Sequence, residues 1–152
     1  MPIPAFETGE IQTNEPTRSA RLKWVVVLDS SAPTGQRFNA VACIAASTGA
    51  TVTGLIGPSG TDESGSTHPG LPWAGCSVLA ATTEQVLEIR DKAASNDTMF
   101  VADMPLSAQS NRVYDEYLAE LRVTTTPQLV GISIVGPRNA VDRLVKRLSL
   151  VG

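Results

Sequence analysis

The side chains of this 152-residue chain that could do chemistry are few and far apart. His68 is the only histidine, and its ordinary pKa suits proton transfer near neutral pH. It stands in T-H-P-G, within a stretch from Ser59 to Gly75 rich in Gly, Ser, Thr, Pro and Asp. Asp29 and Asp103 each close an apolar run, where a carboxylate can serve as a base or a ligand. Just after Asp29 come Thr34, Gly35, Gln36 and Asn39, with Arg37 among them. At the start of a helix, such side chains and the free N–H groups can hold a polar or anionic ligand. Each residue also has a plainer reading: a loop-shaping hydrogen bond for His68, an N-cap for Thr34, and capping or solvation for the two aspartates. Cys43 and Cys76 lack C-x-x-C spacing and read as small packed side chains, with no spacing that supports a nucleophile pair with His68. The sequence shows no ligand cluster with metal spacing and no phosphate loop, so no metal or cofactor is expected.

The elements that must position these residues follow from hydrophobic periodicity. Trp24 to Leu28 is an unbroken apolar run, the mark of a central strand covered on both faces. A turn with Pro33 and Gly35 leads into a helix over about Gln36 to Thr48, with Phe38, Val41, Ala42, Ala45 and Ala46 near one stripe and Gly49 as its stop. Cys76 to Ala81 reads as a second strand. Thr82 and Gln85 form a capping box for an amphipathic helix that ends at Asn96 and Asp97. Thr98 to Ala102 is a third strand, and Pro105 forbids its continuation. One polar helix is expected over about Ser107 to Val123, with Tyr114 and Tyr117 on its apolar face. Leu129 to Val135 is a fourth strand, and Gly136 and Pro137 open the last helix. Leu150 and Val151 form a short tail. Arg138, Arg143, Lys146 and Arg147 make the last helix basic on its outer face, which reads as solvated, with a partner or nucleic-acid reading beside it.

Strands alternating with helices specify a three-layer α/β/α sandwich with a mixed, mainly parallel sheet of about four strands. Residues 1 to 21 hold three prolines and three glutamates without periodicity and read as an arm, and residues 22 to 152 as one α/β domain. Ile3, Phe6 and Ile11 could dock that arm on its own domain or on a second subunit. Twelve basic against fifteen acidic side chains give a net charge of −3, which argues against tRNA or any nucleic acid covering the surface. With no secretory start, no membrane-length apolar run and sparse cysteine, the expected location is the cytoplasm.

K-W-V-V-V-L-D at 23 to 29, G-L-I-G-P at 54 to 58, H-P-G-L at 68 to 71 and G-P-R-N-A-V-D-R-L at 136 to 144 together resemble a mostly bacterial family, the domain of unknown function numbered two thousand. The resemblance runs from Leu22 to the C-terminus. It implies the fold of type-two peptidyl-tRNA hydrolases, a mixed sheet of about four strands with helices on both faces. Those hydrolases place a lysine in a G-K-x-A-A-Q-like segment, where this chain has Gly35, Gln36, Arg37, Phe38, Asn39 and Ala40. They also place an aspartate within D-A-G-x-T-Q after the third strand, where Asp103 is followed by M-P-L-S. A guanidinium does not exchange protons near neutral pH, so Arg37 fits a phosphate contact and not acid–base work.

The leading expectation is a module that binds a small polar ligand in a crevice at the carboxyl edge of the sheet. Its walls would be Asp29, Thr34, Gly35, Gln36 and Asn39, the His68 loop and Asp103. One alternative is a divergent peptidyl-tRNA hydrolase using Asp103, His68 and Arg37; the other is a homodimeric interaction module without catalysis.

Overall fold

A computed structural model describes residues 3–152. Strand β1 (Leu22–Asp29) is buried along almost all of its length, as its apolar run requires. It lies at the centre of a five-stranded sheet in the order β5 (Phe100–Pro105), β6 (Leu129–Pro137), β1, β4 (Ser77–Ala81), β7 (Ser149–Leu150). Helix α1 (Thr34–Thr51) covers one face through Ala40, Ile44 and Thr48. Helices α2 (Thr83–Ala94) and α5 (Arg138–Val145) cover the other through Val86, Ile89, Ala93, Val141 and Val145. The capping box of α2 forms: the Gln85 N–H donates to the Thr82 hydroxyl at 3.1 Å, and the Thr82 N–H to the Gln85 side chain at 2.9 Å.

The sheet is mixed but not mainly parallel. Only β1 and β4 run parallel; β6 is antiparallel to both β1 and β5, and β7 to β4. The cause lies just after β5. In place of one helix over Ser107 to Val123 there are two, α3 (Leu106–Ser110) and α4 (Tyr114–Arg122), broken at Asn111 to Val113. A single long helix would return the chain to the far end of the sheet, where the next strand starts parallel to β5. The two short helices keep it at the end it has just left. There the Leu106 N–H donates to the Gln128 carbonyl at 2.8 Å, and β6 starts beside the end of β5 and runs back along it. The fifth strand is the C-terminal tail, with Leu79 opposite Leu150.

Helix α1 runs through Gly49 to Thr51, beyond the expected stop, and buries Thr48 within it and Val52 just past its end. Phe38 lies outside the buried stripe and is exposed. Buried Thr48 belongs to a polar trio inside the core: the Trp24 indole N–H donates to Ser133 Oγ at 2.7 Å, and the Thr48 and Ser133 hydroxyls are 2.7 Å apart. A buried donor left without a partner costs about 1–3 kcal/mol. Ser133→Ala should therefore lower stability by about that amount in urea titrations, and Ser133→Ala on a Trp24→Phe background by clearly less.

Because α1 runs antiparallel to β1, the segment after Val52 returns to the end of the sheet where β1 begins. There it meets the N-terminal arm. The Phe6 N–H donates to the Thr53 carbonyl at 2.9 Å, and the Phe6 ring meets Trp73 edge to face at 4.8 Å. Gly54 has φ +80°, and a Cβ on it would lie 2.7 Å from the Phe6 carbonyl oxygen, so the arm can approach only a glycine here. Two of the stretches that carry the family resemblance close on each other at this end. The Gly57 N–H donates to the Leu71 carbonyl at 2.8 Å, Ile56 bridges Pro72, and a Cβ on Gly70 would collide with the Gly57 carbonyl. G-L-I-G-P and H-P-G-L are thus mutual packing partners.

Candidate functional site

At the carboxyl end of β1, Asp29 turns its side chain inward. One carboxylate oxygen accepts the Ser31 N–H at 2.9 Å and the Ser31 hydroxyl at 2.6 Å, and the other accepts the Thr83 hydroxyl at 2.7 Å. The residue is 2% exposed. Burial by itself would raise its pKa, but the Ser31 and Thr83 hydroxyls, the Ser31 N–H and the Arg37 guanidinium together hold it below the usual carboxylate range. Asp29 is a clasp joining the first turn to the start of α2.

The next residues open α1. Pro33 is its N-cap and Thr34 its first helical residue, so the N-cap expected of Thr34 does not form. The Thr34 hydroxyl accepts from the Arg37 guanidinium at 3.3 Å, while Arg37 Nε is buried with no partner. Gln109, on α3, reaches across to this turn. Its amide N–H donates to the Gln36 carbonyl at 2.8 Å and to Asn39 Oδ1 at 3.1 Å, leaving its own carbonyl oxygen buried without a donor. Gly35, Gln36, Asn39, Ala108 and Gln109 enclose a shallow cavity of about 330 Å³.

Asn39 also belongs to a larger groove of about 590 Å³ between α1, the end of β5 and the broken α3–α4 pair. Asn39, Cys43 and Ser47 form its α1 wall, Asp103, Met104 and Pro105 its β5 wall, and Asn111, Arg112, Tyr114 and Tyr117 the side built by the break and α4. The two tyrosine rings meet edge to face at 5.4 Å. Asp103 accepts from Arg90 Nε at 3.3 Å. The Tyr117 hydroxyl is raised above its ordinary pKa, chiefly by burial and then by Tyr114 and Asp103. The groove is thus lined by amides, hydroxyls, one guanidinium and one carboxylate over an apolar floor that includes Ile44 and Met104.

Two expected juxtapositions are absent. Asp29 and Asp103 are not side by side as walls of one crevice: β6 lies between β1 and β5, so the strands that carry them are two spacings of about 4.8 Å each apart. His68 does not close over them either. It lies on β3 (Thr67–His68), which pairs with β2 (Gly60–Thr61) in an exposed hairpin within the connection from α1 to β4, at the opposite end of the sheet. Its side chain is 66% exposed and its Nε2 lies 3.0 Å from an Asp62 carboxylate oxygen. Its contact is the loop-shaping one: Asp62 also accepts from the Ser64 and Ser66 N–H groups, and its pKa is lowered to about 2 chiefly by the Ser64 hydroxyl and then by His68. Cys76, just before β4, has its thiol pushed up to about 12 by burial, although the residue as a whole is exposed. It lies far from Cys43 in the groove, and neither has the histidine beside it. Among the described residues no group of His, Cys, Asp and Glu could hold a metal ion, and no helix is long and apolar enough to cross a membrane.

Sequence reasoning passes over Ser47, Asn111 and Arg112 in the groove and Gln109 in the shallower cavity beside it, and it assigns the two tyrosines to an apolar face. Tyr114 is in fact 72% exposed. The signal available was the polar run Gln109, Ser110, Asn111, Arg112, which interrupts the helical periodicity and marks the break.

A sandwich of this topology, with a groove beside its edge strand, defines an α/β protein whose likeness to others can be stated directly. The chain belongs to the family described as protein of unknown function DUF2000, whose model matches residues 22–151. A solved structure, of a protein of unknown function from Agrobacterium tumefaciens strain C58, is similar to it with a TM-score of 0.73 at 20% identity, over 87% of this chain and 98% of that one. That likeness is one of fold. No curated protein matches the chain.

Proposed function

We propose that the chain is a binding module that takes a small polar molecule with a flat ring into the groove between α1, β5 and α3–α4. The observation that carries this is the groove itself. Its volume of about 590 Å³ falls within the roughly 300–1,000 Å³ of small-molecule sites, and it combines aromatic rings with a few convergent polar groups. Tyr114 and Tyr117 offer stacking surface, Asn39 and Asn111 read an amide-like edge, and Arg112 faces an acidic group. Asp103, held by Arg90, accepts from a donor on the ligand.

Binding is favoured over catalysis because the groove pairs no nucleophile with a base. The Cys43 thiol donates to Asn39 Oδ1 at 4.0 Å, and an amide does not take up a proton at neutral pH. The likeness to type-two peptidyl-tRNA hydrolases belongs to this proposal at the level of architecture. A central first strand, the long β6 antiparallel to it and a Gly-Pro step from β6 into the final helix support it. Their chemistry is not part of the proposal, since Gln36 or Arg37 stands where the lysine would be, and the Arg37 guanidinium faces Thr34 and Asp29.

A thermal-shift screen against metabolites and nucleotides tests the reading. A ligand at about a hundred times its Kd should raise the melting temperature by roughly 5–10 °C. The rise should disappear in Tyr117→Ala and Asn39→Ala. A ligand whose effect survives both substitutions binds elsewhere, and the groove reading then fails.

A further inference from the structure

The other face of the sheet holds a second concavity, unrelated to the groove above. It lies where the second half of α2 meets the end of α5 and has a volume of about 270 Å³. Lys92 borders it from α2, and Arg143, Lys146 and Arg147 border it from α5 and the turn beyond, over Ile89, Leu144 and Leu148. Four cations thus face one carboxylate, Glu88, in a chain whose net charge is −3.

Glu88 is already engaged. Lys92 Nζ lies 2.7 Å from it on the same helix, and the Lys92 hydrogen bond and charge, with Arg147 behind them, hold its carboxyl below the usual range. Arg143, Lys146 and Arg147 enter no ion pair among the described residues. Arg138, the remaining cation of this segment, is committed elsewhere: its guanidinium donates to the carbonyls of Ala20 at 3.0 Å and Thr17 at 3.2 Å. A cation at a helix C-terminus offsets the helix dipole, which accounts for Lys92 and Arg143 singly. Lys146 and Arg147 follow the last residue of α5 and still turn to the same concavity.

We propose that this concavity is an anion site for a compact, multiply charged phosphate group such as a diphosphate. Its size argues for such a group, since it is smaller than the sites that enclose a drug-sized molecule. The charge distribution argues against an extended polyanion: the cations are gathered at one spot rather than along a stripe, and the acidic remainder of the surface repels a long phosphate backbone. Guanidinium groups match phosphate oxygens two at a time, so Arg143 and Arg147 supply the directional contacts and Lys92 and Lys146 the added charge.

Titration calorimetry of the full chain with inorganic pyrophosphate at low salt tests the site. One saturable event is expected, weakened about tenfold or more in the Arg143→Ala/Arg147→Ala double variant and unchanged in Arg122→Ala, an exposed arginine on α4. Arg143 and Arg147 are exposed, so the double variant should keep the wild-type melting temperature; the corresponding Arg→Gln pair repeats the test if it does not. Absence of saturable heat, or equal affinity in the double variants and the wild type, overturns the proposal. So does a single-stranded oligonucleotide that binds through the same residues more tightly than pyrophosphate. None of these outcomes bears on the groove beside β5, which contains none of the four cations.

Discussion

Replacing Phe6 with alanine is expected to lower the unfolding free energy by about 3–5 kcal/mol, which for a chain of this size lowers the melting temperature by roughly 10 °C. Phe6 precedes the first sheet strand by many residues and belongs to the N-terminal arm, yet it is 5% exposed and sits in the same core cluster as Trp24, Val52 and Leu55. Its ring lies edge to face with Trp73, and its main chain rests on Gly54. Losing the ring removes buried apolar surface and opens a cavity under an arm whose other ties are the smaller apolar contacts of Ile11 and Ala20 and a few polar ones. Arg21 holds Glu10 at 2.8 Å and the Ala5 carbonyl at 2.8 Å, but the Arg21 side chain is 53% exposed, and an ion pair that solvent reaches holds the arm weakly. Urea titration of the variant is the measurement. A loss under about 1 kcal/mol would mean that the arm is an ornament on a self-sufficient fold, not part of its core. Trp73→Ala should couple with Phe6→Ala, the double variant losing less than the two single losses together, because each ring is half of one contact.

The architecture was legible where periodicity was unambiguous. The run Trp24 to Leu28 admits only a doubly covered strand, and Thr82 with Gln85 announces α2; both elements are present. Strand direction was not legible, because it depends on which end of the sheet a connection returns to. That was decided by a break at Asn111 to Val113, where Tyr114, Tyr117, Leu118 and Leu121 keep helical spacing on the far side and so hide the interruption. The same break builds the groove, and the error in topology and the error in the site are therefore one error. His68 shows a second limit. Its chemistry singled it out, but a residue's place depends on where the preceding helix ends, and α1 runs the full height of the sheet and delivers the His68 hairpin to the opposite end. Gly54 and Gly70 stand in the sequence as motif residues, and their role shows only in the chain segments they admit, Phe6 and Gly57.

Of the residues assigned to a crevice, Asp29 gives the sharpest test of structure against chemistry. Asp29→Ala should cost about 2–4 kcal/mol at pH 7, since the Ser31 and Thr83 donors then lose a charged acceptor. The pH dependence follows from its lowered pKa. A carboxyl group whose folded-state pKa lies below its unfolded value of about 3.9 contributes its full stabilisation above that unfolded value. It loses the contribution as pH falls through the lowered folded value. The difference between the wild type and Asp29→Asn, which keeps the shape but cannot ionise, should therefore be largest at neutral pH and shrink as the pH falls below about 4. Glu10, Asp62 and Glu88 are lowered as well, but they are common to both proteins and cancel in the difference. Unfolding free energies at pH 7 and pH 3 decide the matter. A difference equally large at both would mean that the clasp acts by shape alone. No difference at pH 7 would release Asp29 from its structural role and return it to the list of groups free to meet a ligand.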